Sequence, residues 1–260
     1  MRLINGDSAE VLRGIGDGTI DMVLTSPPYD KLRTYNGIDW SFDKFKVIAG
    51  ELFRVLKDGG VIIWVVADST VDGGETGTSF RQALYFMELG FKLYDTMIYR
   101  KETYVPLTHR RYEQEFEYMF CFSKGKPKTF NPIMIPCKYA NTEIWSSGTY
   151  HKTSSSGLVS CGKRGVNSFK QHGNVFSYVP NRSKETMGHP APFPEQLAED
   201  CIKTWSEPND IVLDCFLGSG TTGKMAVLNG RDFVGIEIDS GYFEIAKNRI
   251  EKYGGIFYGR

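Results

Sequence analysis

Two segments near opposite ends of this 260-residue chain carry residue types suited to chemistry. The first is Thr25-Ser26-Pro27-Pro28-Tyr29. Two consecutive prolines fix φ and remove two backbone donors, so acceptors on this loop, such as the Ser26 side-chain oxygen and the Pro27 carbonyl, are held in place. An exocyclic base amine is a poor nucleophile because its lone pair is delocalised into the ring. Two placed acceptors that take both amine protons favour a pyramidal nitrogen with its lone pair exposed. Tyr29 offers a ring on which a base taken out of its helix would stack. An ordinary proline turn fits the same five residues when they are read alone.

The second segment is Asp214-Cys215-Phe216-Leu217-Gly218-Ser219-Gly220-Thr221-Thr222, between a strand-like and a helix-like stretch. Glycines there let a ligand approach the backbone, and the N–H groups from Gly218 to Thr221 would face it. Glu237 follows Asp214 by 23 residues, about the spacing at which a carboxylate receives ribose hydroxyls. The pair fits an adenosine ligand; acids at Glu237 and Asp239 that merely cap the last helix are the alternative. Gly218-x-x-x-x-Gly223-Lys224 nearly spells a phosphate loop, but Met225 stands where a magnesium-binding hydroxyl belongs. Gly218-x-Gly220-x-x-Gly223 also satisfies dinucleotide spacing, so glycines alone leave that cofactor open.

Elements alternating between strand and helix must position these segments. Ile20–Leu24 reads as a strand leading into the proline loop. Phe42 to Leu56 repeats apolar residues at helical spacing and stops at the turn Lys57-Asp58-Gly59-Gly60, before a buried strand from Val61 to Val66. A helix from about Ser79 to Leu89 and strands near Phe91–Tyr99 and Phe116–Phe122 follow. Pro194 to Trp205 reads as a helix with proline in its first turn. A strand at Ile211–Asp214, a helix at Thr221–Leu228, a strand at Phe233–Glu237 and a helix from Tyr242 to Tyr253 complete a βαβ unit. Such alternation predicts an α/β fold with a largely parallel sheet covered by helices. Between Ser123 and about Gly188 the pattern lapses into Ser, Gly, Asn and Pro, an irregular insertion.

Zero net charge looks wrong for a polyanion binder until it is mapped. Ser123 to Lys184 holds ten Lys/Arg against the single acid Glu143, a local +9. Tyr139, Trp145, Tyr150, Phe169, Phe176 and Tyr178 are interleaved with them. Basic and aromatic residues together suit a nucleic acid. Five cysteines without a C-x-x-C pair argue against a disulfide framework and a zinc knuckle, and four scattered histidines give metal catalysis no support. The sequence lacks a long apolar run or a secretory signal, which makes a cytoplasmic, membrane-free protein the expectation.

Taken together, Ser26-Pro27-Pro28-Tyr29, Asp214-x-Phe216-x-Gly218-Ser219-Gly220-Thr221-Thr222 and His189-Pro190-Ala191-Pro192-Phe193-Pro194 resemble the exocyclic-amino DNA methyltransferases. The likeness is to their permuted β group, with the catalytic motif first, and it covers nearly the whole chain. It implies a Rossmann-like S-adenosylmethionine-dependent methyltransferase fold. Residues 1–122 and 189–260 would form the catalytic and cofactor-binding domain, and residues 123–188 the target-recognition insertion. The resemblance turns the cofactor from a dinucleotide to S-adenosylmethionine. Asp7 would then contact its adenine and Glu237 its ribose, while His189, Pro190 and Phe193, with Phe216 and Gly218, would line the methionine part. An Asp7 that caps the helix starting at Ala9 fits the sequence as well. Cys215 replaces the proline usual in the family and is expected to pack the loop.

Members with serine first in the proline loop are mostly cytosine-N4 enzymes, and those with aspartate first are usually adenine-N6 enzymes. Ser26 therefore points to transfer of a methyl group to the N4 amine of a flipped cytosine in double-stranded DNA. Lys124, Lys126, Lys128, Lys163, Arg164, Lys170 and Arg182 are the candidate DNA contacts, and a homodimer is a family expectation. Adenine-N6 transfer, a catalytically inactive DNA-binding relative, and amine methylation of RNA or a protein glutamine remain as alternatives. C5 methylation needs an attacking cysteine, and the one Pro-Cys pair, Pro136-Cys137, lies in the basic insertion.

Overall fold

Strand direction organises the molecule. The computed structural model describes residues 1–29, 40–103, 111–140, 143–145, 149–151, 158–160, 163–165, 167–180 and 194–254. Its main sheet has eight strands: β1 (Arg2–Asn5), β2 (Ile20–Thr25), β3 (Leu56–Val66), β4 (Lys92–Lys101), β5 (Phe116–Ser123), β6 (Val175–Tyr178), β7 (Ile211–Asp214) and β8 (Asp232–Glu237). Their order across the sheet is β1-β8-β7-β2-β3-β5-β4-β6. Only β5 runs against the rest. The carboxyl ends of seven strands therefore open on one edge, where ligands of open α/β sheets bind.

Side-chain alternation builds a core on each face. Along β3, Ile62, Trp64 and Val66 face one apolar layer, and Val61, Ile63 and Val65 the other. Helices α1 (Ser8–Val11), α2 (Phe42–Val55) and α3 (Thr78–Glu88) close the first layer, with Phe45, Ile48, Leu52 and Phe86 fully buried. Helices α4 (Glu195–Trp205), α5 (Thr221–Leu228) and α6 (Ser240–Gly254) close the second, through Leu197, Ile202, Ala226 and Ile250. The Ser41 side chain caps α2 by accepting from the Lys44 N–H at 3.2 Å, and the helix then buries Phe45, Ile48, Ala49, Leu52 and Val55 at helical spacing.

Three local expectations need correction. Lys57 to Gly60 is not a separate turn, because β3 begins at Leu56 and takes in all four residues. The backbone there stays in the sheet by exchanging hydrogen bonds with the chain after β5, Gly59 N–H to Lys124 O at 2.6 Å and Lys128 N–H to Gly59 O at 3.0 Å. Gly59 nevertheless has the positive φ of 80° that a glycine permits. Pro194 sits at the cap of α4, one residue before its first turn. Residues Arg2–Asn5, which carried no periodic signal, form β1 by pairing in parallel with β8.

The chain divides into Met1–Asn131 with Asn174–Arg260, and a separate unit Pro132–Gly173. That second unit is a ribbon of three nested antiparallel pairs. Met134–Pro136 pairs with Phe169–Gln171, Glu143–Trp145 with Lys163–Gly165, and Thr149–His151 with Leu158–Ser160. Three-residue strands give the ribbon too little periodicity to read from sequence. Among the described residues no helix is long and apolar enough to cross a membrane.

At the edge opposite the strand carboxyl ends, Asp21 ties three strands together. Its side chain is 2% exposed and accepts from Lys57 Nζ at 2.7 Å. Lys128 Nζ lies at 2.7 Å and the Ile211 N–H at 3.0 Å. Burial alone would raise its pKa, but the Ile211 N–H and the two ammonium groups outweigh it and hold the carboxyl below its ordinary 3.8. Its contribution to stability is therefore complete above that value and is lost as pH falls through the lower folded-state value. Asp21→Ala strands the Ile211 donor and two lysines, and is expected to lower the unfolding free energy by about 2–3 kcal/mol in urea titration at pH 7. The difference from the parent should shrink steadily below pH 4; a constant difference would disprove the ionic role.

Candidate active site

Strand β2 delivers Thr25 to the carboxyl edge and the proline loop leaves from it. Thr25 is fully buried, and its hydroxyl donates to Asp214 Oδ1 at 2.7 Å, joining the end of β2 to the end of neighbouring β7. Ser26 is half-buried and donates to the Tyr29 hydroxyl at 2.9 Å. Tyr29 is buried and donates in turn to Glu117 Oε2 at 2.7 Å, and Glu117 Oε1 lies 2.8 Å from Lys101 Nζ. Four side chains from the β2 loop, the start of β5 and the end of β4 thus form one chain of polar contacts across the edge.

The glycine loop sits at the next two strand ends. Asp214 is deeply buried, and burial raises its pKa to about 6 against the opposing pull of the Thr25 hydroxyl and the Phe216 N–H. Glu237, at the end of β8, accepts from the Gly218 N–H on Oε2 at 2.8 Å and from the Asp239 N–H on Oε1 at 2.9 Å. Burial is the main reason its pKa also lies above the ordinary value. Gly220 caps α5 with φ 78°, and a Cβ there would stand 3.0 Å from the Ala246 backbone, so both conformation and packing require glycine. From α6, buried Arg249 donates to Ser219 O at 3.0 Å and Thr221 Oγ1 at 2.9 Å, holding the loop from behind.

Electrostatics decides what class of ligand the loop can take. Asp214 and Glu237 bind the loop backbone, Asp239 follows Glu237 two residues on, and Asp7 lies at the end of the adjacent β1. Carboxylates in such density repel a pyrophosphate and favour hydroxyl groups and positive charge. Lys224, the lysine of the near-phosphate-loop spelling, is buried and bound to Glu195 at 2.8 Å, with its ammonium over the Tyr253 ring. It is a structural cation between α4 and α5. Phe216 remains half-buried, its ring 5.3 Å from Trp40 in an edge contact and 6.1 Å from Trp64. These features suit an adenosine bearing a cationic side chain.

The other candidates are distributed as follows. Ser26, Pro27, Pro28 and Tyr29 share the carboxyl edge with Asp7, Asp214, Phe216, Gly218, Ser219, Gly220, Thr221 and Glu237. Asp7 caps α1 through the Ala9 N–H at 3.0 Å and pairs with Lys44 at 2.8 Å. Burial opposes its charge, but Lys44 and that N–H prevail and lower its pKa. Cys215 is buried against Thr25, a packing position. His189, Pro190, Phe193 and Arg182 lie outside the described residues.

Two of the three lysines after β5 require a correction. Lys124 donates to the carbonyls of Phe53 and Leu56 at 2.9 Å each, and Lys128 pairs with Asp21 and, at 3.5 Å, Asp210. Those partners mark the amino ends of β2 and β7, about 16 Å from the proline loop at the rise of a strand. Lys126 lies between them on the same segment. Lys124 and Lys128 brace the far edge of the sheet, whereas Lys126 is exposed and stays a candidate DNA contact with Lys163, Arg164, Lys170 and Arg182. Lys170 is exposed on the ribbon strand Phe169–Gln171. Sequence reading also missed Glu117, Lys101, Arg249 and Trp40. For Glu117 a signal existed: it is the lone charge in the apolar run Phe116-Glu117-Tyr118-Met119-Phe120-Cys121-Phe122.

The chain is 48% identical to the orphan methyltransferase M.BamHII of Bacillus amyloliquefaciens, over 92% of this chain and 91% of that protein. It is 30% identical to the type II methyltransferase M.BglII of Bacillus subtilis, over 94% of this chain and 67% of that one. Its fold matches the cytosine-N4-specific PvuII DNA methyltransferase with a TM-score of 0.69 at 21% identity, covering 98% of this chain and 90% of that enzyme. A putative DNA modification methylase of Thermus thermophilus, solved in complex with S-adenosyl-L-methionine, matches with a TM-score of 0.66 at 24% identity, over 98% and 97%. The DNA methylase family profile for N6 and N4 amino enzymes matches residues 20–248, and the chain belongs to that family.

Proposed function

We propose that this protein transfers a methyl group from S-adenosylmethionine to the exocyclic N4 amine of a cytosine flipped out of double-stranded DNA. The observation that carries the reading is the Thr25–Asp214 hydrogen bond, which fixes the amine-binding loop and the cofactor loop side by side on one sheet edge. The Thermus relative holds the same cofactor, and the PvuII relative acts at cytosine N4. S-adenosylmethionine supplies an electrophilic methyl group on a sulfonium with a good leaving group. Gly218 to Thr221 would face it with backbone N–H groups, Glu237 would receive its ribose hydroxyls, Asp7 would contact its adenine, and Phe216 with His189, Pro190 and Phe193 would line its methionine part. Its positive charge would favour the ionised forms of Asp214 and Glu237, whose burial opposes ionisation in the free protein.

On the catalytic side, Ser26 Oγ and the Pro27 carbonyl would accept the two amine protons, Pro28 would keep the loop rigid, and the Tyr29 ring would meet the flipped base. Serine in first place supports cytosine over adenine. The ribbon Pro132–Gly173 carries Lys138, Lys152, Lys163, Arg164 and Lys170 against Glu143, with Tyr139, Trp145, Tyr150 and Phe169 among them. A basic, aromatic β-ribbon suits groove and phosphate contacts, and we assign target recognition to it within residues 123–188. A homodimer is compatible with this assignment.

Mass spectrometry of nucleosides, after incubation of the protein with labelled S-adenosylmethionine and unmethylated DNA, is expected to show N4-methylcytosine; N6-methyladenine would overturn the base assignment and leave the loop chemistry standing. Ser26→Ala is expected to lower turnover by about a hundredfold while cofactor affinity stays within twofold. Equal loss of both would remove Ser26 from its role. Changing Lys163 and Arg164 together to Ala should weaken DNA binding and reduce the slope of log affinity against log salt by about 1.8 if each touches a phosphate. An unchanged slope would place both away from the backbone.

A further inference from the structure

We propose that Glu117 is a positioning residue for methyl transfer, acting through Tyr29 to set the direction in which the Ser26 hydroxyl points. The proposal rests on the methyltransferase reading above. Glu117 is 8% exposed at the start of β5, a strand whose residues Tyr118 to Phe122 supply apolar and aromatic side chains to the two cores. Such a placement is costly for a carboxylate unless its oxygens are met, and Lys101 and Tyr29 meet one each, at 2.8 and 2.7 Å.

Direction follows from the donor inventory. A carboxylate paired with an ammonium has no proton to give, so the Tyr29 hydroxyl must donate to it. The Tyr29 oxygen is then the acceptor for Ser26, whose proton is committed to that 2.9 Å contact. Ser26 Oγ is left with lone pairs to present, which is the polarity needed to receive an amine N–H. Without this polarity a serine hydroxyl can donate toward the amine nitrogen and occupy the lone pair that must attack. Glu117 thus selects between the productive and the obstructive rotamer of a proton it does not touch. Tyr29 becomes more than a stacking ring, since its hydroxyl is the link.

The same chain disposes of a proton. As the N–C bond forms and the C–S bond breaks, the nitrogen is left with one proton in excess. That proton passes to Ser26 Oγ while the Ser26 proton passes to Tyr29 Oη and the Tyr29 proton to Glu117 Oε2. Neutral Glu117 later returns its proton to solvent, and charge and atoms balance.

The test compares the full-length protein with Glu117→Gln, Tyr29→Phe and the double variant. Single-turnover methyl transfer to DNA, calorimetric affinity for S-adenosylmethionine and thermal midpoint are measured for each. Glutamine can donate to Tyr29 and reverse the chain, so Glu117→Gln is expected to slow transfer roughly ten- to a hundredfold, the scale of one misdirected hydrogen bond in a preorganised site. Cofactor affinity should stay within twofold. Tyr29→Phe keeps the ring and the Glu117–Lys101 pair, and should show a similar loss even if Glu117→Gln folds poorly. The double variant should be no slower than the slower single, because both cut one chain. Parent-like rates in both singles, losses that multiply in the double, or a parallel fall in cofactor affinity would each overturn the proposal. Wild-type protein that transfers nothing to DNA would overturn the methyltransferase reading with it, whereas active wild-type beside unaffected variants would sink the Glu117 assignment alone.

Discussion

Asp214 is buried at the centre of the sheet's carboxyl edge, where a carboxylate is stable only if its lone pairs are met. The Thr25 hydroxyl and the Phe216 N–H both donate to its Oδ1. The consequence is geometric: the residue before the proline loop and the second residue of the glycine loop are fixed by the same carboxylate. A reaction between a base amine on one loop and a methyl donor on the other depends on their separation to within a fraction of an ångström. Parallel strands make this possible, since β2 and β7 are neighbours and both end on this edge. A reversed β7 would carry its glycine loop to the far side of the sheet.

The opposite edge is built on a different electrostatic plan. There Asp21 is buried with two lysines and a backbone N–H, and Lys124 is bound to the carbonyls of Phe53 and Leu56 at the end of α2. Cations clamp that end, while the carboxyl edge gathers acids around a loop poor in cations of its own. This division explains how a chain of zero net charge can carry an acidic site at the carboxyl edge and a basic ribbon together. It also explains why a charge count along the sequence includes lysines that the fold itself pairs. Lys124 and Lys128 belong to the same basic run as Lys163 and Lys170, yet their charge is answered inside the fold.

What could be read from the sequence was what depends on local periodicity and on short, chemically constrained loops. The apolar spacing in Phe42–Val55, the strand Ile211–Asp214 and the glycines before Thr221 each report a neighbour within a few residues. Strand β1 was invisible because four residues carry no period, and it forms only where β8, far along the chain, offers a parallel partner. The ribbon was missed for the same reason. Asp7 shows a different limit: one side chain serves as helix cap, partner of Lys44 and candidate cofactor contact, and residue type cannot rank these. Arg249 could not be found at all from a helix of ordinary amphipathic pattern, since its role lies in the distance to Ser219 and Thr221.

Chain order adds a last constraint. The proline loop is made early and the glycine loop late, with the ribbon between them, so the two halves of the edge meet across a separation of 189 residues at Thr25 and Asp214. The proline loop takes its hold from Asp214 of β7 and Glu117 of β5, and the glycine loop from Glu237 of β8 and Arg249 of α6. The acids of the edge impose the same order energetically, because Asp214 and Glu237 meet the cost of burial only when Thr25, Gly218 and Asp239 are in place. Tertiary closure of the whole sheet therefore comes before a competent site. The long excursion into the ribbon is compatible with this because the chain leaves the sheet after β5 and rejoins it at β6, and neither strand neighbours β2 or β7, on which the chemistry depends.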